Sequence, residues 1–334
     1  MGWEMMNHQD QILMALLKAN GRYVSGNTLA KKFDISRPAV YNNILKLQEC
    51  GHVISSKKGL GYAYQKSRVF NRQVIDHYRT TTLPVNIHTF SSVASTNDYA
   101  KQFSSANQVE LPQVFLADTQ TKGHGRLGRH FYSPSKGGIY MSILLPIHSR
   151  ITIHSGLLTT GTAVSVVRAL KQFFANADFR VKWVNDILVH NKKCGGILTE
   201  TVTSLEDGSH ESVVVGIGLN IDSDNFPAEI QQKAGAIVTK SSVDKNRIAA
   251  SIIDNFFYMY QTYESGTFLK EYARLSETLG KRVEVVMGNQ TVTGVADHFT
   301  HEGALVIQKD SGQTATISSG EVTKVYLPEN QYRG

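Results

Sequence analysis

Cysteine is nearly missing from this 334-residue chain, with only Cys50 and Cys194, far apart. Two distant thiols make neither a disulfide framework nor a cysteine zinc site, which points to a reducing compartment. No apolar run approaches the length needed to cross a bilayer. The first residues, Met1–Gly2–Trp3–Glu4–Met5–Met6, show no basic stretch followed by an apolar one, so no secretory signal is expected there. Repeats and low-complexity tracts are also missing. The expectation is a cytoplasmic protein that makes no use of a membrane. The 41% of hydrophobic residues is enough for real cores, and the length suggests two or three domains.

Acidic residues are scarce at one end. Residues 1–79 hold 12 Lys/Arg against 5 Asp/Glu, which accounts for the whole net charge of +7, and the remainder balances. Such asymmetry suggests a nucleic-acid module joined to a neutral partner domain. The pattern agrees. Gln9 to Lys18 places Ile12, Leu13, Leu16 and Leu17 at helical spacing, and Gly21 ends the run. A short helix is expected over Thr28–Phe33, then a turn at Asp34–Ile35–Ser36. Ser36 suits the N-cap and Pro38 the first turn of a helix reaching Cys50, with Val40, Ile44 and Leu47 buried. Helix, tight turn and capped helix form a helix-turn-helix. Ser36, Arg37, Tyr41, Asn42, Asn43 and Lys46 are its candidate DNA contacts, chemically suited to phosphates and base edges. His52–Ile54 and Tyr62–Tyr64 read as strands around a basic turn, a wing with Lys57 and Lys58 at its tip. A winged helix-turn-helix over 1–65 is expected. A protein-interaction domain is the alternative, and the localised charge favours DNA.

The centre of the chain is organised by residues 119–134, where three glycines and two arginines crowd one loop between strand-like Val114–Ala117 and Ile139–Leu145. Gly123 to Gly128 is literally a G-x-G-x-x-G. No helix opens after it, however, as a dinucleotide fold requires, and the companion motifs of a kinase are missing. Arg126 and Arg129 offer planar forks of donors suited to phosphate or carboxylate. A surface hairpin whose glycines only make turns remains the alternative at this point.

Around this loop lie further elements. Residues 66–85 read as a transition, with a helix near Val69–Tyr78 and a linker end at Thr80–Pro84. Val85–Phe90 reads as a strand. Ser95–Thr96–Asn97 opens a helix over Asp98–Phe103, and by itself is no more than a cap. Gly156–Phe174 is a small-residue helix. Phe179–Val184 is a strand carrying Lys182, with a turn at Asn185–Asp186. Cys194–Leu198 and Val213–Leu219 are strands, the second holding Gly216 and Gly218. Glycines inside a strand often mark close approach of a ligand or backbone. Asp222–Ala234 reads as a mobile loop, and Ile248–Tyr263 and Phe268–Thr278 as helices. From Lys281 onward, turns at Gly288–Asn289, Glu302–Gly303 and Ser311–Gly312 separate short strands of a small β-barrel-like domain.

Taken together, Gly123–His124–Gly125–Arg126–Leu127–Gly128–Arg129, Lys182–Trp183–Val184–Asn185–Asp186 and Gly216–Ile217–Gly218–Leu219–Asn220 are far more specific than any one of them. With Ser95–Thr96–Asn97 and Lys193–Cys194–Gly195–Gly196–Ile197–Leu198, they closely resemble the biotin protein ligases. The winged helix and the trailing β domain resemble the bifunctional bacterial type, which also represses the biotin operon. Essentially the whole chain is covered. Three departures stand out: His124 where arginine is common, Phe131 where tryptophan is common, and Val184 for a frequent proline.

The resemblance implies an α+β multidomain chain: a winged helix-turn-helix at 1–65, a linker at 66–85, a mixed α/β ligase domain at 86–278, and an SH3-like β-barrel at 279–330. It implies adenylation of biotin by ATP with Mg²⁺, giving biotinyl-5′-AMP, then transfer to a lysine of the biotin carboxyl carrier protein of acetyl-CoA carboxylase. Arg126, Arg129 and Lys182 would be catalytic. Biotin would meet Ser95, Thr96, Asn97, Gln120, Gly123, His124, Gly125, Arg126, Lys182, Gly195, Gly196, Gly216 and Gly218. The nucleotide would meet Arg126, Arg129, Phe131, Lys182, Asn185 and Asn220. A loop at 222–236 would close over the adenylate. No metal ligands are indicated. Operator binding as a homodimer promoted by the adenylate is the regulatory expectation. The alternatives are a lipoate or octanoate ligase and a non-catalytic small-molecule-sensing repressor.

Overall fold

The computed structural model describes residues 7–134, 137–147, 153–203, 210–222, 226–239, 241–318, 320–326 and 332–333. Contacts divide the chain into two compact units, Met1–Thr80 with Ser242–Ser251, and Thr81–Ser241 with Ile252–Gly334.

The first unit contains α1 (His8–Lys18), α2 (Gly26–Phe33), α3 (Arg37–Glu49), β1 (His52–Lys57), β2 (Gly61–Ser67) and α4 (Arg72–Tyr78). Each helix has a side-chain N-cap, from Asn7, Ser25, Ser36 and Asn71 in turn, which satisfies a backbone N–H that would otherwise be orphaned. Asp34 takes the left-handed conformation after α2 and turns the chain into α3. Ile12, Leu16, Leu29, Val40, Ile44 and Leu47 fill the core, as their spacing predicts. β1 and β2 pair antiparallel, and Lys57 and Lys58 are exposed at the wing tip.

Two features differ from the expected boundaries. Helix α4 joins this core through Val74 and Tyr78, so it belongs to the first unit and not to a transition segment. Residues 242–251, far along the chain, belong there too. The carboxylate of Asp244, 4% exposed, accepts from the Tyr64 hydroxyl at 2.6 Å, the Ser67 amide at 3.0 Å and both the backbone and side-chain nitrogens of Asn246. Asn246 in turn accepts from the Asn71 amide and donates to the Val69 carbonyl. A buried carboxylate is tolerated only when satisfied in this way. No local sequence pattern announces such a long-range polar lock.

The second unit is built on a seven-stranded mixed sheet of order β3-β4-β5-β9-β8-β7-β6. Its strands are β3 (Asn86–Phe90), β4 (Gln113–Ala117), β5 (Gly138–Pro146), β6 (Phe179–Lys182), β7 (Asp186–Val189), β8 (Lys192–Thr203) and β9 (His210–Asn220). Only β3 and β4 are parallel neighbours. Helix α5 (Thr96–Ala106) packs on β4, β5 and β9, while α6 (Ser155–Lys171) packs on β7 and β8. Helix α7 (Lys245–Tyr260) starts one residue after Asp244, and α8 (Leu269–Leu275) follows. The strands β10 (Arg282–Met287), β11 (Gln290–Phe299), β12 (Leu305–Gln308), β13 (Thr314–Ile317), β14 (Glu321–Tyr326) and β15 (Tyr332–Arg333) form an antiparallel sheet of order β13-β12-β11-β10-β14-β15. The turn at Gly288–Asn289 connects β10 to β11 as its sequence predicts. No described helix is long and apolar enough to cross a membrane.

His52 is 3% exposed and its Nδ1 finds no hydrogen-bond partner. Burial holds its pKa below the usual histidine value, against the opposing pull of Asp244. Burial and nearby Lys18 depress His77 as well. Protonation therefore favours the unfolded chain. Stability of the first unit should be complete above the free-histidine value of about 6.5 and fall as the pH drops from there toward the depressed folded values. Thermal melts between pH 7.5 and 5 should show this slope, and His52→Phe should flatten it; an unchanged slope would remove His52 as its source.

Candidate active site

The site begins with a register. Along β9, Gly216 lies opposite Ser142 of β5 and Leu198 of β8, and Gly218 opposite Tyr140 and Gly196. Residues two apart share a face of a strand, so Gly216 and Gly218 leave one face of β9 bare. The structure fills that bareness with protein. A Cβ on Gly216 would strike the Asn97 amide, and one on Gly218 would meet the Phe131 ring at 2.8 Å. The glycines thus admit two side chains of the site itself.

Above this floor lies a polar cluster. Ser95 is the N-cap of α5, as its sequence alone suggests. Thr96 follows, its amide and hydroxyl both within bonding distance of Gln120 Oε1, at 2.8 and 3.1 Å. Gln120 Nε2 donates to Ser133, and the Ser133 hydroxyl to the Phe131 carbonyl. Ser142, fully buried, reaches Thr96 at 2.7 Å and Asn97 Oδ1 at 2.6 Å. Asn97 Nδ2 donates to Glu200 at 2.7 Å, and the other Glu200 oxygen accepts from Lys101 at 2.9 Å. Ser142, Glu200 and Lys101 were not singled out by sequence. For Ser142 the signal available was a polar residue inside the buried apolar run Met141–Ser142–Ile143, whereas Glu200 lies in the polar, partly exposed run Thr199–Glu200–Thr201.

The cations come from two directions. In the glycine loop, the Gly125 amide donates to the Arg129 carbonyl at 2.7 Å and the Phe131 amide to the Gly123 carbonyl at 2.9 Å. Leu127 sits at the tip with φ 57° and is 83% exposed. Arg126 is half-buried and donates to the Gly320 carbonyl at 2.7 Å, which ties the loop to the C-terminal sheet within this unit. Arg129 is exposed. Lys182 ends β6. The residue after it is clamped: the Trp183 amide donates to Thr278, its indole N–H to the Gly303 carbonyl, and Tyr272 donates its hydroxyl to the Val184 carbonyl. Asn185 Nδ2 donates to the Ile197 carbonyl, and Lys193 pairs with Asp186 at 2.5 Å.

These groups line one cavity of about 440 Å³. Ser95, Thr96, Asn97, Gln120, His124, Gly125, Arg126, Arg129, Phe131, Lys182, Asn185, Gly196, Gly216 and Gly218 all reach its wall. Gly123, Gly195 and Asn220 do not. Gly123 packs against Ser133 and Gln120, Gly195 against Leu219 and the Gly218 carbonyl, and Asn220 is buried at the end of β9. Met141, Ile197 and Ile217 add apolar wall, and Lys193, Asp186, Trp183, Met287 and Thr323 were not anticipated there. His124 lies 3.8 Å from Asp98 through Nδ1. Of the expected closing loop 222–236, residues 223–225 lie outside the described residues. Its remainder is stitched to β8, the Gly235 amide donating to the Lys193 carbonyl.

The candidate DNA contacts sit together in the first unit. Ser36 caps α3, and Arg37, Tyr41, Asn42 and Lys46 are exposed along it. Asn43 is half-buried and spends one amide hydrogen on the Ala39 carbonyl of its own helix.

Comparison with known proteins gives three matches in chain order. An HTH domain matches residues 8–63, the Biotin/lipoate A/B protein ligase family residues 89–220, and the Biotin protein ligase C terminal domain residues 278–325. The chain is 28% identical to the bifunctional ligase/repressor BirA of Bacillus spizizenii, over 88% of this chain and 92% of that one. It is 25% identical to the bifunctional ligase/repressor BirA of Escherichia coli, over 89% and 92%. The solved biotin protein ligase from Aquifex aeolicus in complex with biotin and ATP is 27% identical, with a TM-score of 0.60, covering 71% of this chain and 97% of that one.

Gly216→Ala should cost about 1–3 kcal/mol of stability by forcing Asn97 off β9. Gly125→Ala, where the nearest neighbour stands at 3.8 Å, should cost far less. Chemical denaturation of the two variants checks the difference, and equal stabilities would mean that Asn97 does not need the space.

Proposed function

Because the chain belongs to the biotin protein ligase family, in the three-part order of its bifunctional ligase/repressor members, we propose that it joins biotin to a carrier lysine by way of biotinyl-5′-AMP and represses transcription. The observation that carries this reading is one cavity holding a hydrogen-bonding cluster and an apolar wall alongside four cations, Arg126, Arg129, Lys182 and Lys193. A small acid with a polar head and an apolar body, and a nucleotide triphosphate, are the two ligands that such a cavity fits.

In the first step the biotin carboxylate oxygen attacks the α-phosphorus of ATP. The bond to the β-phosphate breaks and pyrophosphate leaves. Two anions must approach, and fixed cations lower that barrier because they need no reorganisation during reaction. Arg126 and Lys182 take this role at the carboxylate and α-phosphate, and Arg129 at the phosphates. Thr96 and Gln120 meet the ureido group, with Asn97 behind them and Met141, Ile197 and Ile217 along the apolar body. Phe131, over Gly218, serves as the aromatic wall for the adenylate. In the second step a carrier lysine amine attacks the anhydride carbonyl, an amide forms, and AMP and a proton leave.

Among the described residues no group of three or more His, Cys, Asp or Glu side chains could hold a metal. Asp186 is the one carboxylate among the described wall residues. This fits Mg²⁺ arriving on the phosphates of ATP, where it offsets their charge, since that ion binds through substrate phosphates and few carboxylates.

The winged helix supplies the operator contact. One small module gives modest specificity, so binding as a dimer to two half-sites is part of the reading, with the adenylate favouring the dimer. The acceptor is the biotin carboxyl carrier protein of acetyl-CoA carboxylase. Free thiols at Cys50 and Cys194 fit a cytoplasmic setting.

Pyrophosphate release by the purified chain with ATP should depend on biotin and not on lipoate or octanoate; equal release with an unbranched fatty acid would favour the lipoate-type reading. Arg126→Ala and Lys182→Ala should each slow adenylation by roughly ten- to hundredfold, the usual loss for a charge-assisted bond, without unfolding. For Lys182→Ala the loss should fall on kcat; a change confined to the KM for biotin would reassign it.

A further inference from the structure

The C-terminal sheet meets the cavity with backbone and apolar side chains. Val286, Met287, Gly288, Gly320, Val322 and Thr323 line one part of the wall. The Thr323 hydroxyl lies 3.2 Å from both the backbone carbonyl and a carboxylate oxygen of Glu284, and its proton is spent there. Yet this uncharged wall holds a cation. Arg126 Nη1 donates to the Gly320 carbonyl at 2.7 Å.

The kind of acceptor matters. A guanidinium carries its donors in one rigid plane, so one fixed bond restrains the direction of the others. A carbonyl does this without cancelling the positive charge. Lys193, by contrast, is paired with the Asp186 carboxylate. The position of the carbonyl is set by close packing. Glu321, the next residue, pairs with Val286 of β10, and a Cβ on Gly320 would stand 3.0 Å from Met287 Cγ and 3.2 Å from the Val286 carbonyl oxygen. A side chain at 320 must displace either Met287 or the backbone that presents the carbonyl. We propose that Gly320 is a positioning residue for Arg126, and that through its carbonyl the C-terminal sheet directs the guanidinium at the anionic centre of the adenylate. This rests on the ligase reading above.

The bond can be watched directly. Gly320–Glu321 is the only Gly-Glu step in the chain. Glycine labelled with ¹³C at the carbonyl and glutamate labelled with ¹⁵N therefore give one NMR signal for that peptide in the full chain. Arg126→Ala should move its carbonyl resonance upfield, as expected when a carbonyl loses a donor. Biotinol-5′-AMP, a stable mimic of the adenylate, should leave it near the wild-type position. A signal indifferent to Arg126→Ala, or one that biotinol-5′-AMP drives to the Arg126→Ala position, would overturn the proposal. The bond would then be missing in solution or given up on binding.

Affinity tests the consequence. Gly320→Ala should weaken binding of biotinol-5′-AMP by about three- to tenfold, and of uncharged biotinol by less than about twofold, because only the first offers Arg126 an anion. In an Arg126→Ala background, Gly320→Ala should cost less than about twofold for either ligand. No loss for the adenylate mimic, equal losses for the two ligands, or the same loss with and without Arg126 would overturn the proposal, since the glycine would then do no more than shape the wall. If Gly320→Ala does not fold, the NMR comparison decides, because it changes nothing at Gly320. A wild-type chain that keeps the NMR contact but does not bind biotinol-5′-AMP would instead remove the ligase reading.

Discussion

Two missing side chains on one central strand govern the second unit. Strand β9 lies between β5 and β8, and at Gly216 and Gly218 it offers only backbone to one face. Asn97 from α5 and Phe131 from the glycine loop occupy the space. Through them, two segments far apart in sequence are referred to one rigid surface. The polar cluster hangs from Asn97, and the loop that carries Phe131 also brings Arg126 and Arg129 to the cavity. A binding site held on strands is more exact than one held on loops alone, because the ladder fixes its register.

The chain also separates its charges by task. The excess of positive charge lies within residues 1–79, on the unit with the exposed face of α3 and the wing. The rest is neutral overall, yet gathers Arg126, Arg129, Lys182 and Lys193 around one cavity. Net charge steers a molecule to a polyanion over distance, whereas a few cations gathered around one cavity act at contact range. A neutral domain can therefore stabilise triphosphate chemistry without itself competing for DNA.

Much of this was legible in sequence. The capped helices, the wing, and the turn at Gly288–Asn289 are local signals, and local signals are read from neighbours in the chain. The cations were legible as candidates because paired arginines in a glycine-rich loop suit anions, and only the combined motifs set that reading above a plain surface hairpin. What escaped was long-range. Nothing near Asp244 announces that its carboxylate closes a lock with Tyr64 and Ser67 in a distant winged helix. Ser142 looks like a polar interruption of an apolar strand and Glu200 like one member of a polar run until both meet Asn97. The strand glycines suggested ligand approach, and the structure gives that space first to Asn97 and Phe131. Position 184 carries valine, whose carbonyl accepts from the Tyr272 hydroxyl in the core.

The central claim is that one cavity brings an acid and a nucleotide together and keeps the product of their union. Native mass spectrometry of the purified chain, incubated with biotin and ATP and then desalted, tests this most directly. The account predicts retained biotinyl-5′-AMP, one per chain, formed only when both substrates are supplied. Biotin and ATP bound side by side without the adenylate, or no retained ligand from a folded chain, would contradict it.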